Sequence, residues 1–141
     1  IADNIRPRDI VTRKAMENAA TVVAATGGST NGALHLPAMA HEAGIDFDLM
    51  QVAEIFKKTP YIADLKPGGQ YVAKDMYEAG GVPMLLKTLL EGGYLHGDCL
   101  TVTGKTLAEN LEEITFNPDQ KVIYPVSNPI TPTGGVVGLK G

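Results

Sequence analysis

The chain has 141 residues, of which 44% are hydrophobic and 20% charged, and its net charge is −4 at pH 7. This length and composition are those of one globular domain of ordinary size. The negative charge and the lack of a long basic run argue against nucleic acid or an anionic membrane as the main partner. The single cysteine, Cys99, excludes an internal disulfide and cannot alone supply the thiolates of an iron–sulfur cluster or a zinc ribbon.

No stretch approaches the roughly 20 apolar residues of a membrane span, and no signal peptide opens the chain. The sequence therefore predicts a soluble protein, and the lone cysteine favours a reducing compartment, the cytoplasm. The chain begins with Ile1 rather than Met and ends after the apolar stretch Gly134–Leu139. We therefore expect it to be a piece of a longer protein.

The first half of the sequence is typical of amphipathic helices. Apolar residues at spacings of three and four predict a helix over Pro7–Ala25. Gly27 and Gly28 interrupt this pattern, and Ser29 or Thr30 is predicted to cap a second helix that runs to Ala43.

A third helix is predicted after the capping box that Asp48 forms with Gln51, and it ends at Thr59-Pro60. The remaining predicted elements are short strands at Tyr61–Ala63 and Leu100–Val102, short helices at Val72–Ala79 and Val82–Leu90, and a helix from a capping box at Thr106 through Leu111.

The composition changes after Ile114, where four prolines follow at short intervals with Asn and Gly between them. Proline interrupts helices, so we interpret residues 115–133 as an extended linker with one short strand at Val122–Tyr124. A second domain is predicted to begin near Gly134.

The Gly27–Asn31 turn is the strongest candidate for a binding site. Its two glycines allow a ligand to approach the backbone, and the helix start at Ser29, Thr30 and Asn31 offers N–H groups and a positive dipole end to a carboxylate or a phosphate. The alternative is a plain helix cap after a tight turn. His35 follows closely and either lines the same pocket or is a structural histidine.

Two further patterns lead to no site. Gly104-Lys105-Thr106 matches the end of a phosphate-binding P-loop, but that motif needs a glycine where Cys99 stands. Cys99 itself is interpreted as a small buried hydrophobic residue rather than a nucleophile.

Several sequence blocks taken together resemble the dihydroxy-acid and sugar-acid dehydratase family. The resemblance covers almost the whole chain in order, and Gly97–Asn110 is its most specific block. The blocks are Gly27–Leu36, Ala40–Ile45, Ala63–Gly68, Glu78–Pro83, Gly97–Asn110 and Ser127–Gly135.

This resemblance implies an α/β fold: an incomplete amino-terminal α/β domain, helix-rich with short strands, followed by an extended linker. Residues 1–114 would be the carboxy-terminal part of that cluster-binding domain. Residues 115–133 would be the linker, and residues 134–141 the start of a truncated β-barrel-like domain. Family members are longer than this chain and are homodimers.

The resemblance also implies an iron–sulfur cluster and Mg²⁺ in the parent enzyme. The cluster cysteines and most metal ligands would precede Ile1, and the serine base and a remaining metal carboxylate would follow Gly141. We therefore expect no catalytic, cofactor or metal residue on this chain. Ser29, Thr30, Asn31 and His35 remain as candidates for substrate binding.

The implied reaction is dehydration of a 2,3-dihydroxy acid to a 2-keto acid, with cluster iron as the Lewis acid and Mg²⁺ on the substrate oxygens. The first hypothesis is a fragment of a dihydroxy-acid dehydratase of branched-chain amino-acid synthesis, inactive alone. The alternatives are a fragment of a sugar-acid (aldonate) dehydratase and a non-catalytic structural module.

Overall fold

Short helices joined by glycine turns dominate the computed structural model, which describes residues 2–139. The described part is helix-rich with short extended segments, as expected for part of an α/β domain. Its helices are α1 (Pro7–Ile10), α2 (Arg13–Thr26), α3 (Asn31–Glu42), α4 (Leu49–Lys58), α5 (Ala73–Glu78), α6 (Gly81–Glu91) and α7 (Leu107–Asn110).

The single helix predicted over Pro7–Ala25 is wrong, because the structure divides it into α1 and α2. Val11 is extended, and Thr12 begins a new helix by accepting a hydrogen bond from the Ala15 N–H on its hydroxyl oxygen at 3.2 Å. The apolar spacing continues across this break, so periodicity alone could not reveal it.

The α4 helix begins as predicted. Asp48 accepts a hydrogen bond from the Gln51 N–H at 2.9 Å, and Gln51 accepts one from the Asp48 N–H at 2.8 Å. Helices α2, α3 and α4 bury a first hydrophobic core between them. Its buried members are Met16, Ala20, Ala24, Leu36, Ala40, Phe47, Val52, Ile55 and Phe56.

The predicted strands are reduced to isolated bridges within residues 2–139. Tyr61 pairs with Thr131 and Ala63 with Ile123, both antiparallel. The strand predicted at Leu100–Val102 is wrong, since only Leu100 pairs, across a tight turn with Thr106. Because the turn reverses the chain within a few residues of Leu100, no room is left for further β-pairs beside this one.

A second core lies around the extended segment that follows α4. Ile62 and Ala63 donate N–H bonds to the Ala25 carbonyl at 2.9 and 3.0 Å, which fixes this segment at the end of α2. The core joins α5 and α6 to the segment predicted as a strand at Val122–Tyr124. Its buried members are Ala25, Ile62, Ala63, Met76, Ala79, Met84, Leu85, Leu89, Leu95, Val122 and Ile123.

The proline-rich segment 115–133 packs on the second core, to which it contributes Val122 and Ile123. Beyond it the Gly134 N–H donates to the Phe56 carbonyl at 3.0 Å and the Gly135 N–H to the Ala24 carbonyl at 2.9 Å. The division into domain and linker stays a prediction. Among residues 2–139, no helix has both the length and the apolar character needed to cross a bilayer.

Candidate functional site

The Gly27–Asn31 turn connects the end of α2 to the start of α3. Gly27 adopts a left-handed conformation with φ 60° and ψ 37°, which glycine reaches without a Cβ penalty. Its N–H and that of Gly28 donate to the carbonyls of Ala24 and Val23 at 3.4 and 2.9 Å. Both glycine N–H groups are therefore used to close α2.

The sequence predicts Ser29 or Thr30 as the cap of α3, and the structure places Thr30 at the N-cap position while the preceding Ser29 supplies the side-chain hydrogen bond. The Ser29 hydroxyl oxygen accepts a hydrogen bond from the Asn31 N–H at 3.2 Å, and the Ser29 carbonyl accepts one from the Gly32 N–H at 3.1 Å. Thr30 has helical backbone angles, with φ −59° and ψ −17°, and its side chain makes no capping hydrogen bond. Within residues 2–139, the N–H groups of Ser29 and Thr30 donate to no protein acceptor.

The candidate side chains lie on an open surface. Ser29, Thr30, Asn31 and His35 are all exposed. His35 follows Asn31 by four residues, so the two share one side of α3. The structure thus brings the predicted residues together along one helix start, where they form a wall rather than an enclosed pocket.

The turn offers an anion two kinds of donor. The N–H groups at Ser29 and Thr30 lie at the positive end of a 12-residue helix, and the Thr30 hydroxyl and Asn31 amide stand beside them. A hydroxyl or amide group that no metal ion or neighbouring base activates does not remove protons at neutral pH. The arrangement is therefore suited to binding and orienting an oxyanion.

A charged cluster that the sequence did not reveal lies elsewhere, between α2 and the loop after α6. His96 Nε2 lies 2.6 Å from Glu17 Oε2, and Arg13 Nε donates to Glu17 Oε1 at 3.2 Å. Burial raises the pKa of the Glu17 carboxyl, but hydrogen bonds from His96 and Arg13 outweigh it and leave that pKa below its ordinary value. The cluster borders a cavity of about 340 Å³.

Cys99 lies next to this cluster and is half-buried. Its sulfur accepts a weak hydrogen bond from Asn18 Nδ2 at 3.5 Å. Burial, with a smaller effect from the Asp98 carboxylate, raises the pKa of the Cys99 thiol. A thiol held protonated in this way is a poor nucleophile and a poor metal ligand.

No three His, Cys, Asp or Glu side chains within residues 2–139 come together in a group that could hold a metal ion. Cys99 is the only cysteine of the sequence. The residues present therefore fit neither an iron–sulfur cluster, which needs several thiolates, nor a metal site of several side-chain ligands.

Comparison with known proteins gives the same family as the sequence blocks. Residues 1–110 match the family described as dihydroxy-acid/6-phosphogluconate dehydratase N-terminal. The chain belongs to this family. The matched residues include the Gly27–Asn31 turn, the Glu17–His96 cluster and the specific block Gly97–Asn110.

Individual relatives of this family match all or nearly all of the chain. It is 80% identical over all 141 residues to a dihydroxy-acid dehydratase of Parvibaculum lavamentivorans, covering 24% of that protein. It is 76% identical over 141 residues to dihydroxy-acid dehydratase 2 of Mesorhizobium japonicum, covering 24%. A dihydroxy-acid dehydratase of Pelagibacter ubique is 75% identical over 138 residues, which are 98% of this chain and 24% of that protein. The chain spans about a quarter of the length of these curated relatives.

Proposed function

We propose that the chain is a segment of a dihydroxy-acid dehydratase, a hydro-lyase that converts a 2,3-dihydroxy acid into a 2-keto acid and water in branched-chain amino-acid synthesis. The observation that carries this proposal is 80% identity over all 141 residues to a protein of that name. The segment by itself is inactive, because its described residues bring together no set of metal ligands and the base of the family is expected on another part of the full-length enzyme.

The proposed reaction needs a base as well as groups that bind the substrate. A base removes the C2 proton, the C3 hydroxyl leaves as water, and the resulting enol tautomerises to the 2-keto acid. At the Gly27–Asn31 turn, the N–H groups of Ser29 and Thr30 and the Thr30 hydroxyl bind the substrate carboxylate. Asn31 and His35 extend this polar wall along α3.

Support for this role comes from the geometry of the turn. Those two N–H groups have no acceptor among residues 2–139, the helix dipole favours a negative charge, and all four side chains are exposed. The role is binding and orientation, since no group of the turn is a good base.

The iron–sulfur cluster and the Mg²⁺ of the family are proposed to lie on other parts of the full-length enzyme. The donor set of this chain does not fit them: one half-buried cysteine with a raised thiol pKa, and no group of three or more acidic, histidine or cysteine ligands in the described residues. Spectra of the full-length enzyme should show a cluster that the 141-residue chain cannot bind.

The full-length enzyme is further proposed to be a cytoplasmic homodimer whose partner is its small-molecule substrate. The resemblance to a family of homodimers supports the assembly state, and the lone cysteine suits a reducing compartment. Light scattering coupled to size exclusion measures the assembly state, and cell fractionation measures the location.

Substrate assays of the full-length enzyme test the activity. We expect turnover of 2,3-dihydroxyisovalerate and none, or far less, of a panel of aldonates. Preference for an aldonate would replace the proposal by the sugar-acid branch of the family. Turnover by the isolated 141-residue chain would show that the catalytic groups are on this chain after all.

Substitutions at Ser29 test the binding role of the turn. Ser29→Asp retains a capping oxygen but adds a negative charge where a carboxylate should bind. We expect it to raise KM for the dihydroxy acid by about tenfold or more, and Ser29→Ala to raise it by about threefold. Ser127→Asp, an equal charge change at an exposed serine outside the turn, is the control. Unchanged KM in Ser29→Asp would exclude the turn from the substrate site.

A further inference from the structure

The segment Ile130–Gly135 returns to the end of α2, far from it in sequence. The Ile130 N–H donates to the Tyr61 carbonyl at 2.8 Å and the Tyr61 N–H donates to the Thr131 carbonyl at 3.0 Å. The Gly135 N–H then donates to the Ala24 carbonyl at 2.9 Å, within the last turn of α2. The segment therefore reaches the Gly27–Asn31 turn along a series of backbone hydrogen bonds.

Gly135 packs directly against the backbone of Gly27. A Cβ atom placed on Gly135 would lie 2.6 Å from the Gly27 Cα and 3.1 Å from the Gly27 N. These are backbone atoms, which cannot rotate aside as a flexible side chain would. Only glycine permits this approach without moving the turn.

Tyr61 completes a three-way contact at the same place. A Cβ atom placed on Gly27 would lie 3.1 Å from Tyr61 Cε2, and one placed on Gly135 would lie 3.1 Å from Tyr61 Cδ2. The half-buried Tyr61 ring thus packs against both glycines. Gly27 holds a left-handed φ of 60° at this contact, and that angle sets the direction in which the chain enters Ser29.

We propose that Gly135 and Tyr61 are positioning residues for the Gly27–Asn31 turn. By packing on Gly27 they hold the N–H groups of Ser29 and Thr30 in the orientation that binds a substrate carboxylate. This inference rests on the proposed function of the turn. It gives Ile130–Gly135 a role in the substrate site in addition to connecting two parts of the chain.

Amide hydrogen exchange and kinetics of the full-length enzyme test this proposal together. In Gly135→Ala we expect the hydrogen-bonded amides of residues 28 and 31–33 to exchange about tenfold faster, with exchange in α6 unchanged. KM for 2,3-dihydroxyisovalerate should rise by about threefold or more while kcat changes less. Gly68→Ala is the matched control, because its added Cβ meets only the Tyr61 hydroxyl at an ordinary 3.5 Å.

A pair of tyrosine variants keeps the test decisive if Gly135→Ala does not fold. Tyr61→Phe retains the ring and should leave both exchange and KM close to the original values. Tyr61→Leu removes the ring and should reproduce the Gly135→Ala effects. The positioning role is overturned if exchange at residues 28 and 31–33 is unchanged in every one of Tyr61→Leu and Gly135→Ala that folds. It is also overturned if exchange increases evenly over the whole protein.

The two proposals fail in different ways. If Gly135→Ala accelerates exchange at residues 28 and 31–33 but neither it nor Ser29→Asp alters KM, the packing is confirmed and the substrate role of the turn is wrong. If Ser29→Asp raises KM but neither Gly135→Ala nor Tyr61→Leu changes the exchange rates at the turn, the substrate role of the turn stands and the positioning role is wrong.

Discussion

His96 and Glu17 are 79 residues apart in sequence, and their side chains meet at 2.6 Å between Nε2 and Oε2. Asn18 reinforces this contact by accepting from the His96 N–H at 2.8 Å and donating to the His96 carbonyl at 3.0 Å. Together these bonds connect two half-buried residues of α2 to the loop that follows α6. The loop leads into Gly97–Asn110, the block that most specifically resembles the family.

The Glu17–His96 contact predicts a defined pH dependence of stability. The folded pKa of Glu17 lies below its ordinary 4.5, so the carboxylate stabilises the fold above that pH and loses this contribution as pH falls through the folded value. We expect Glu17→Gln to lower the free energy of unfolding by about 1 kcal/mol at pH 5.5. The difference from the original chain should shrink toward zero near pH 3. Chemical denaturation of the 141-residue chain at several pH values measures it.

Glu54 provides the control for this experiment. It pairs with Lys57 at 3.2 Å, but both side chains are more than 60% exposed. Exposed pairs of this kind contribute little, so Glu54→Gln should leave the stability nearly unchanged at either pH. A Glu17→Gln effect of equal size at pH 5.5 and pH 3 would contradict the assignment to an ionised carboxylate.

The reactivity of Cys99 is a second prediction. Burial raises the pKa of its thiol, so less thiolate is present at pH 8 in the folded chain than in an unfolded one. We expect iodoacetamide to modify Cys99 at least about threefold more slowly in the folded chain than in urea, followed by mass spectrometry. A folded rate equal to or above the unfolded rate would show an activated cysteine and reopen its chemical role.

Local features of the fold were predictable from sequence and long-range ones were not. The capping boxes at Asp48 and Thr106 depend on residues three positions apart, and both are confirmed. The break at Thr12 was missed because the apolar spacing continues through it. Pairings such as Tyr61 with Thr131 leave no periodic signal, because single bridges do not require alternating residues.

In the candidate site, too, the local features were predictable from sequence and the long-range contacts were not. The position of the Gly27–Asn31 turn and its capping serine follow from neighbouring residues, which is why the sequence predicts them. The contact of Gly135 with Gly27 and the Glu17–His96 pair depend on tertiary packing. The only local sign of the Gly135–Gly27 contact is a Gly-Gly pair after a proline-rich stretch, and such a pair is equally typical of a flexible turn.

The capping box of α4 gives a third prediction, which tests how this helix is anchored beside the first core. Asp48 and Gln51 satisfy each other's backbone N–H groups at 2.9 and 2.8 Å. We expect Asp48→Ala to cost about 1 kcal/mol of unfolding free energy and Gln51→Ala about half as much. Because each side chain fixes the backbone that the other one caps, the double variant should cost less than the two single costs added together. Chemical denaturation of the four proteins measures this coupling, and strict additivity would mean that the two bonds form independently.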